Sequence, residues 1–182
     1  MQILMVPGIG DSGPGHWQSL WEQEPAVRCS RFSPTSWDEP RADDWLQAIS
    51  RAVEDAGPDV LVVAHSLGCV AVAHQAGEDL ACRGVVLVAP PDVHGPLFPE
   101  AAVGFTDLAV RPVRVPALVI SSSDDPYCTP AVARRLARQW HAEQVDVGPA
   151  GHLNEGARLG RWQVGWDLVH EFAHRIGAPA IG

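Results

Sequence analysis

Short apolar runs alternate with amphipathic stretches along this chain, the pattern of a parallel sheet covered by helices. Apolar runs predict strands over 2–6, 60–64, 84–89, 117–121 and 144–147, with a polar edge strand over 27–32. Val60-Leu61-Val62-Val63 and Val85-Val86-Leu87-Val88 are apolar on both faces, as central strands covered from both sides must be. Trp45, Leu46, Ile49 and Val53 form one helical stripe that Gly57-Pro58 ends. Further helices are expected over 67–78, 131–141 and 162–176. Residues 90–116 hold six prolines and two glycines without a periodic pattern. A loop of that length inside a compact domain is commonly functional. With no repeat, linker or low-complexity segment, residues 1–182 read as one domain.

Composition narrows this picture. At 182 residues and 46% hydrophobic content, the chain can bury one sizeable core. The net charge of −9 and the lack of any basic block argue against nucleic acid as a partner. Met1-Gln2-Ile3-Leu4-Met5-Val6 has no positive leader and is broken at Pro7-Gly8, so no signal peptide is expected. No stretch reaches the length of a membrane span. Cys29, Cys69, Cys82 and Cys128 form no CxxC pair, which suits idle thiols in a reducing cytoplasm.

Candidate chemistry centres on Val63-Ala64-His65-Ser66-Leu67-Gly68, where an apolar strand runs directly into a helical pattern. A chain that turns from strand to helix this abruptly strains the backbone at its turning residue. It also needs small neighbours two positions to either side, here Ala64 and Gly68. Ser66 would then stand at the carboxyl end of the strand, beside helix N–H groups able to stabilise an oxyanion. The alternative is a serine that only caps the helix. His65 reads as structural, with its ring turned away from the hydroxyl.

A nucleophile in this setting calls for an acid and then a base on later strand-to-helix loops. Ser123-Asp124-Asp125-Pro126 follows the strand over 117–121, and Gly151-His152 follows the strand over 144–147. His152 is the expected base and Asp125 its carboxylate partner. Asp124 reads as a solvated loop carboxylate, and Asp92 is a weaker candidate for the acid. His94 precedes the acid and so falls out of order, while His74 and His141 sit in predicted helices. The turn after the first strand, Val6-Pro7-Gly8-Ile9-Gly10, supplies the Ile9 N–H as an oxyanion donor to pair with that of Leu67.

Two other motifs compete. Gly8, Gly10 and Gly13 match a dinucleotide turn, but no acidic residue ends a second strand about twenty residues on, and Pro14 interrupts the helix that should open there. His170-Glu171-Phe172-Ala173-His174 is a literal HExxH, which on a helix offers two zinc ligands one turn apart. The remaining 175–182 hold no third ligand, and the surrounding apolar spacing suits a terminal helix with these polar residues on its wet side.

Val6-Pro7-Gly8-Ile9-Gly10, His16-Trp17-Gln18, Ala64-His65-Ser66-Leu67-Gly68-Cys69, Ser123-Asp124-Asp125-Pro126-Tyr127 and Gly151-His152-Leu153-Asn154 occur in one order. Together they resemble the small serine hydrolases related to retinoblastoma-binding protein nine, many of them bacterial. The resemblance spans nearly the whole chain. It implies an α/β-hydrolase fold, mostly parallel, with helices on both faces and no separate cap domain, and a triad of Ser66, Asp125 and His152. The expected activity is metal- and cofactor-free hydrolysis of a small ester, thioester or amide through an acyl-enzyme on Ser66. The partner would be that small acyl substrate, and no protein partner is assigned. Trp17, Leu97, Phe98 and Phe105 are candidates to line the substrate. Two rivals remain: a binding or scaffold protein on a hydrolase fold, and a zinc hydrolase built on His170 and His174.

Overall fold

The computed structural model describes residues 1–178. Strands β1 (Gln2–Val6), β2 (Arg28–Arg31), β3 (Val60–His65), β4 (Gly84–Val88), β5 (Ala117–Ser121) and β6 (Glu143–Asp146) form one parallel sheet ordered β2-β1-β3-β4-β5-β6. The helices are α1 (Trp17–Glu22), α2 (Ala42–Ala56), α3 (Leu67–Ala76), α4 (Pro130–Trp140) and α5 (Gln163–Arg175). This is the parallel sheet covered by helices that the apolar pattern implies, and the α/β-hydrolase architecture that the resemblance implies.

The period of two along each strand divides the core into two layers. Leu4, Val6, Val60, Val62, Ala64, Val85, Leu87 and Val119 face the layer built with α2, α3 and α4. Ile3, Met5, Leu61, Val63, Val86, Val88, Leu118 and Ile120 face the other layer, with Trp17 and Trp21 of α1 and Val169 and Phe172 of α5. The four inner strands are apolar on both sides because both sides are covered. Outer strands β2 and β6 stay polar and only partly buried.

The predicted strands fall within a residue or two of the observed ones. Helix α1 was not anticipated: six residues are too short for a periodic signal, and it persists through tertiary packing of Trp17, Gln18 and Trp21. His141 is also a correction. It adopts a left-handed conformation (φ 56°) that ends α4 instead of lying within it. Residues 90–116 form no strand, only a single 3-10 turn at Phe105–Asp107. The middle of this loop is nevertheless tied down, since the Ala42 N–H donates to the Val103 carbonyl and the Val103 N–H to that of Pro40.

The chain moves outward from β1 to β2, then returns to β3 and builds the other way. At such a reversal the loops at the strand ends diverge and leave a crevice. The turn after β1 and the loop after β3 meet there, with Val6 paired in register to Ala64. Loops after β5 and β6 open at the same end of the sheet.

Candidate active site

Ser66 is the single residue between β3 and α3, with φ 52° and ψ −124°. A non-glycine residue in this region costs about 1–3 kcal/mol, and the surroundings must impose it. Two hydrogen bonds do so: the Ser66 N–H donates to the Val88 carbonyl at 2.9 Å, and the Cys69 N–H to the Ser66 carbonyl at 2.9 Å. The serine side chain does not cap α3. Close packing demands the neighbouring glycines. A Cβ on Gly68 would lie 2.5 and 2.6 Å from the carbonyl oxygens of Val6 and Pro7, and one on Gly8 would lie 2.8 Å from the Ser66 Cβ.

The Ser66 Oγ lies 2.8 Å from Nε2 of His152, whose Nδ1 lies 2.8 Å from Oδ2 of Asp125. A carboxylate only accepts, so Nδ1 carries the proton and Nε2 is left to accept from the serine hydroxyl. Asp125 and His152 are both buried, and Oδ1 of Asp125 also accepts the Tyr127 N–H at 2.9 Å. Ser66, His152 and Asp125 thus form one hydrogen-bonded chain across three loops.

Asp124 does more than the sequence suggests. Although exposed, its Oδ1 accepts from the backbone N–H groups of Ala150 at 2.8 Å and Gly151 at 2.7 Å, the two residues before His152. The Ser122 hydroxyl donates to the same oxygen, and these bonds, led by that of Ser122, hold the Asp124 carboxyl below its usual range. Adjacent aspartates therefore divide the work, one on the backbone before His152 and one on its ring. Asp92, the weaker candidate for the acid, accepts instead from the His94 N–H at 3.2 Å.

His16-Trp17-Gln18 ties the loop after β6 to strand β3 and to the turn after β1. The Trp17 Nε1–H donates to the Leu153 carbonyl at 2.8 Å, and the Gln18 Nε2–H to the Val63 carbonyl at 3.1 Å. Oε1 of Gln18 accepts the Ser12 hydroxyl at 2.7 Å. His65 adds a fourth tie, with Nε2 3.0 Å from the carbonyl oxygen of His152. Since that oxygen accepts, Nε2 of His65 is protonated, and complete burial pushes the imidazole pKa well below its ordinary value. None of these ties was legible beforehand, because all but the Ser12–Gln18 bond join residues dozens of positions apart.

A cavity of about 380 Å³ opens above Ser66. Ile9, Leu67, Leu97, Phe98, Pro91 and Tyr127 give it an apolar wall, with His16, Asn154, Asp11 and Glu155 on its polar parts. Ile9 and Leu67 therefore both reach the cavity, and as first residue of α3 Leu67 has no intrahelical acceptor for its N–H. Of the four residues suggested as substrate-lining, Leu97 and Phe98 lie on the cavity. Trp17 and Phe105 do not. Trp17 is buried among Trp21, Trp162 and His16, where its indole N–H finds a partner. Phe105 is buried against Trp45 in the layer beneath.

The HExxH residues are not arranged as ligands. His170 packs its ring on Trp166, centroids 4.5 Å apart, and Glu171 pairs with Arg175 at 3.3 Å. Among the described residues no three His, Cys, Asp or Glu side chains gather where an ion could bridge them. Residues 179–182, the end of the stretch searched for a third ligand, lie outside the described residues. No helix of the described residues is long and apolar enough to cross a membrane.

The profile of the serine hydrolase family matches residues 3–171. A YdeN-like hydrolase from Pectobacterium atrosepticum is 32% identical, with a TM-score of 0.86 over 98% of this chain and 92% of that one. The ydeN gene product of Bacillus subtilis superposes with a TM-score of 0.79 at 23% identity, covering 95% of this chain and 98% of that one. Est1E of Butyrivibrio proteoclasticus, solved with ferulic acid bound, shares the fold at 16% identity, with a TM-score of 0.74 over 98% of this chain and 90% of that one. None of the curated proteins matches.

Proposed function

This chain belongs to the serine hydrolase family, and from that premise we propose that it cleaves a small ester, thioester or amide through an acyl-enzyme on Ser66. The observation that carries the proposal is the continuous hydrogen-bonded chain from Ser66 Oγ through His152 to Asp125. In this reading Nε2 of His152 takes the Ser66 proton as Oγ attacks the acyl carbon, then delivers it to the leaving group. Water attacks the acyl-enzyme in the same way and regenerates the hydroxyl. Asp125 holds the imidazole tautomer and stabilises its protonated form. Backbone N–H groups of Ile9 and Leu67 serve the oxyanion, beside the positive end of α3.

The cavity volume supports a small substrate, and Leu97 and Phe98 support an apolar portion of it. Four free cysteines suit a reducing cytoplasm, where we place the protein. The likeness to small hydrolases related to retinoblastoma-binding protein nine fits a single domain without a cap. Reaction with a fluorophosphonate probe tests the mechanism. Wild type should label and Ser66→Ala should not, with ester turnover lost in parallel. Equal labelling of the two proteins removes Ser66 as nucleophile, and a broad acyl panel without Ser66-dependent turnover favours a binding role.

A further inference from the structure

The backbone that delivers His152 to Ser66 is not one a chain adopts freely. Gly148, Gly151 and Leu153 hold left-handed φ values of 80°, 55° and 50° within one short loop. Leu153 carries a Cβ, so contacts with the rest of the fold must impose that conformation. Just after the imidazole, the Trp17 indole holds the Leu153 carbonyl and His65 holds that of His152 itself. Just before it, the ties come from Ser122 and Asp124. The Ala150 N–H donates to Ser122 Oγ at 2.9 Å and to Asp124 Oδ1 at 2.8 Å. The Gly151 N–H donates to the same Oδ1 at 2.7 Å. Ser122, buried directly after β5, adds its own hydroxyl proton to that oxygen at 2.8 Å, which closes a ring of three groups.

We propose that Ser122 and Asp124 form a clamp that positions the His152 imidazole for catalysis, a role that rests on the reading of Ser66 as nucleophile. Asp125 follows Asp124 directly, so one turn holds both the backbone before His152 and its ring. Neither Ser122 nor Asp124 lines the cavity, so both act on the reaction through His152 and not through substrate. Asp124 is exposed, and the charge of an exposed carboxylate adds little to stability. Its bonds fix direction instead: three donors converge on one oxygen, and two of them are successive amides of the loop that carries the base. A misplacement of about 1 Å between base and nucleophile costs on the order of 10²-fold in rate.

Kinetics on p-nitrophenyl butanoate, expressed per folded molecule, test the clamp. Asp124→Ala should lower kcat about thirtyfold and leave KM within about twofold. Asp124→Asn keeps an acceptor oxygen without the charge, and should recover all but about fivefold of the loss. Ser122→Ala, which leaves the Gly151 bond in place, should cost less than Asp124→Ala. The low-field proton resonance of the hydrogen bond from His152 Nδ1 to Asp125 gives an independent readout. It should shift in Asp124→Ala and return toward its wild-type position in Asp124→Asn. Wild-type kcat in Asp124→Ala overturns the proposal. A lowered kcat with that resonance unmoved overturns it too, because the effect would then bypass His152. Should Asp124→Ala fail to fold, Asp124→Asn decides by the same two readings. Failure of the Ser66 reading looks different: Ser66→Ala would still turn over the ester.

Discussion

Trp17→Phe separates two roles for the indole, contact with substrate and support of the loop that carries His152. Phenylalanine removes the Nε1–H that donates to the Leu153 carbonyl. Leu153 is fully buried, so water does not replace that donor, and leaving the carbonyl unpaired costs about 1–3 kcal/mol. The smaller ring also leaves a void of roughly 40 Å³ among Trp21, Trp162 and His16, at about 24 cal/mol per Å³, or ~1 kcal/mol. Together these give about 3 kcal/mol. Urea titration should show the loss as a lower midpoint with an unchanged slope. Leu153 follows His152 directly and holds φ 50°, so loosening its carbonyl shifts the imidazole relative to Ser66. Turnover per folded molecule should fall about tenfold, while KM for short aryl esters stays within about twofold. A stability change below about 1 kcal/mol, or a KM that moves with the size of the acyl group, would refute the supporting role and return Trp17 to the substrate.

Lowering the pH should weaken the fold through His16. In the unfolded chain its imidazole titrates near pH 6.5, whereas the folded protein excludes the proton down to about pH 4. Unfolded chains therefore bind more protons in that window, and stability drops as pH falls from 6.5 toward 4, by on the order of 3 kcal/mol from His16. His65 acts in the same direction. Denaturation midpoints of wild type and His16→Asn should converge across this range, and parallel curves would contradict the assignment. Asp125→Asn should leave the fold intact while lowering kcat by about 10³–10⁴-fold, because the amide no longer selects the productive tautomer; near-normal turnover would assign the acid elsewhere. Gly68→Ala forces a Cβ to within 2.6 Å of the carbonyl oxygens of Val6, the last residue of β1, and Pro7. It should cost more than about 3 kcal/mol, and a melting temperature within a few degrees of wild type would show that the elbow relaxes.

Much of this protein is legible in its residues because the underlying physics is local. Runs such as Val60-Leu61-Val62-Val63, short, Val-rich and preceded by the Gly57-Pro58 break, mark strands buried on both faces. Ala64 and Gly68 around Ser66 mark a tight strand-to-helix turn for steric reasons alone. Spacing along the chain placed Asp125 and His152 on the loops after β5 and β6. Tertiary structure decided what those loops touch. A single indole could line a cavity or staple a loop, and only the meeting of α1 with the loop after β6 assigns Trp17 to Leu153. Phe105 could face substrate or core, and the tie between Val103 and the start of α2 carries it to Trp45. Sequence picks Asp125 over Asp124 as the acid but leaves Asp124 a solvated loop carboxylate: its place on the Ala150 and Gly151 amides came when β5 and β6 aligned side by side. His16 is the sharpest case. Its position before Trp17-Gln18 hints at a cap, but that its second nitrogen is buried, protonated and unpartnered beside Ser66 is a property of three loops meeting at one reversal of strand order.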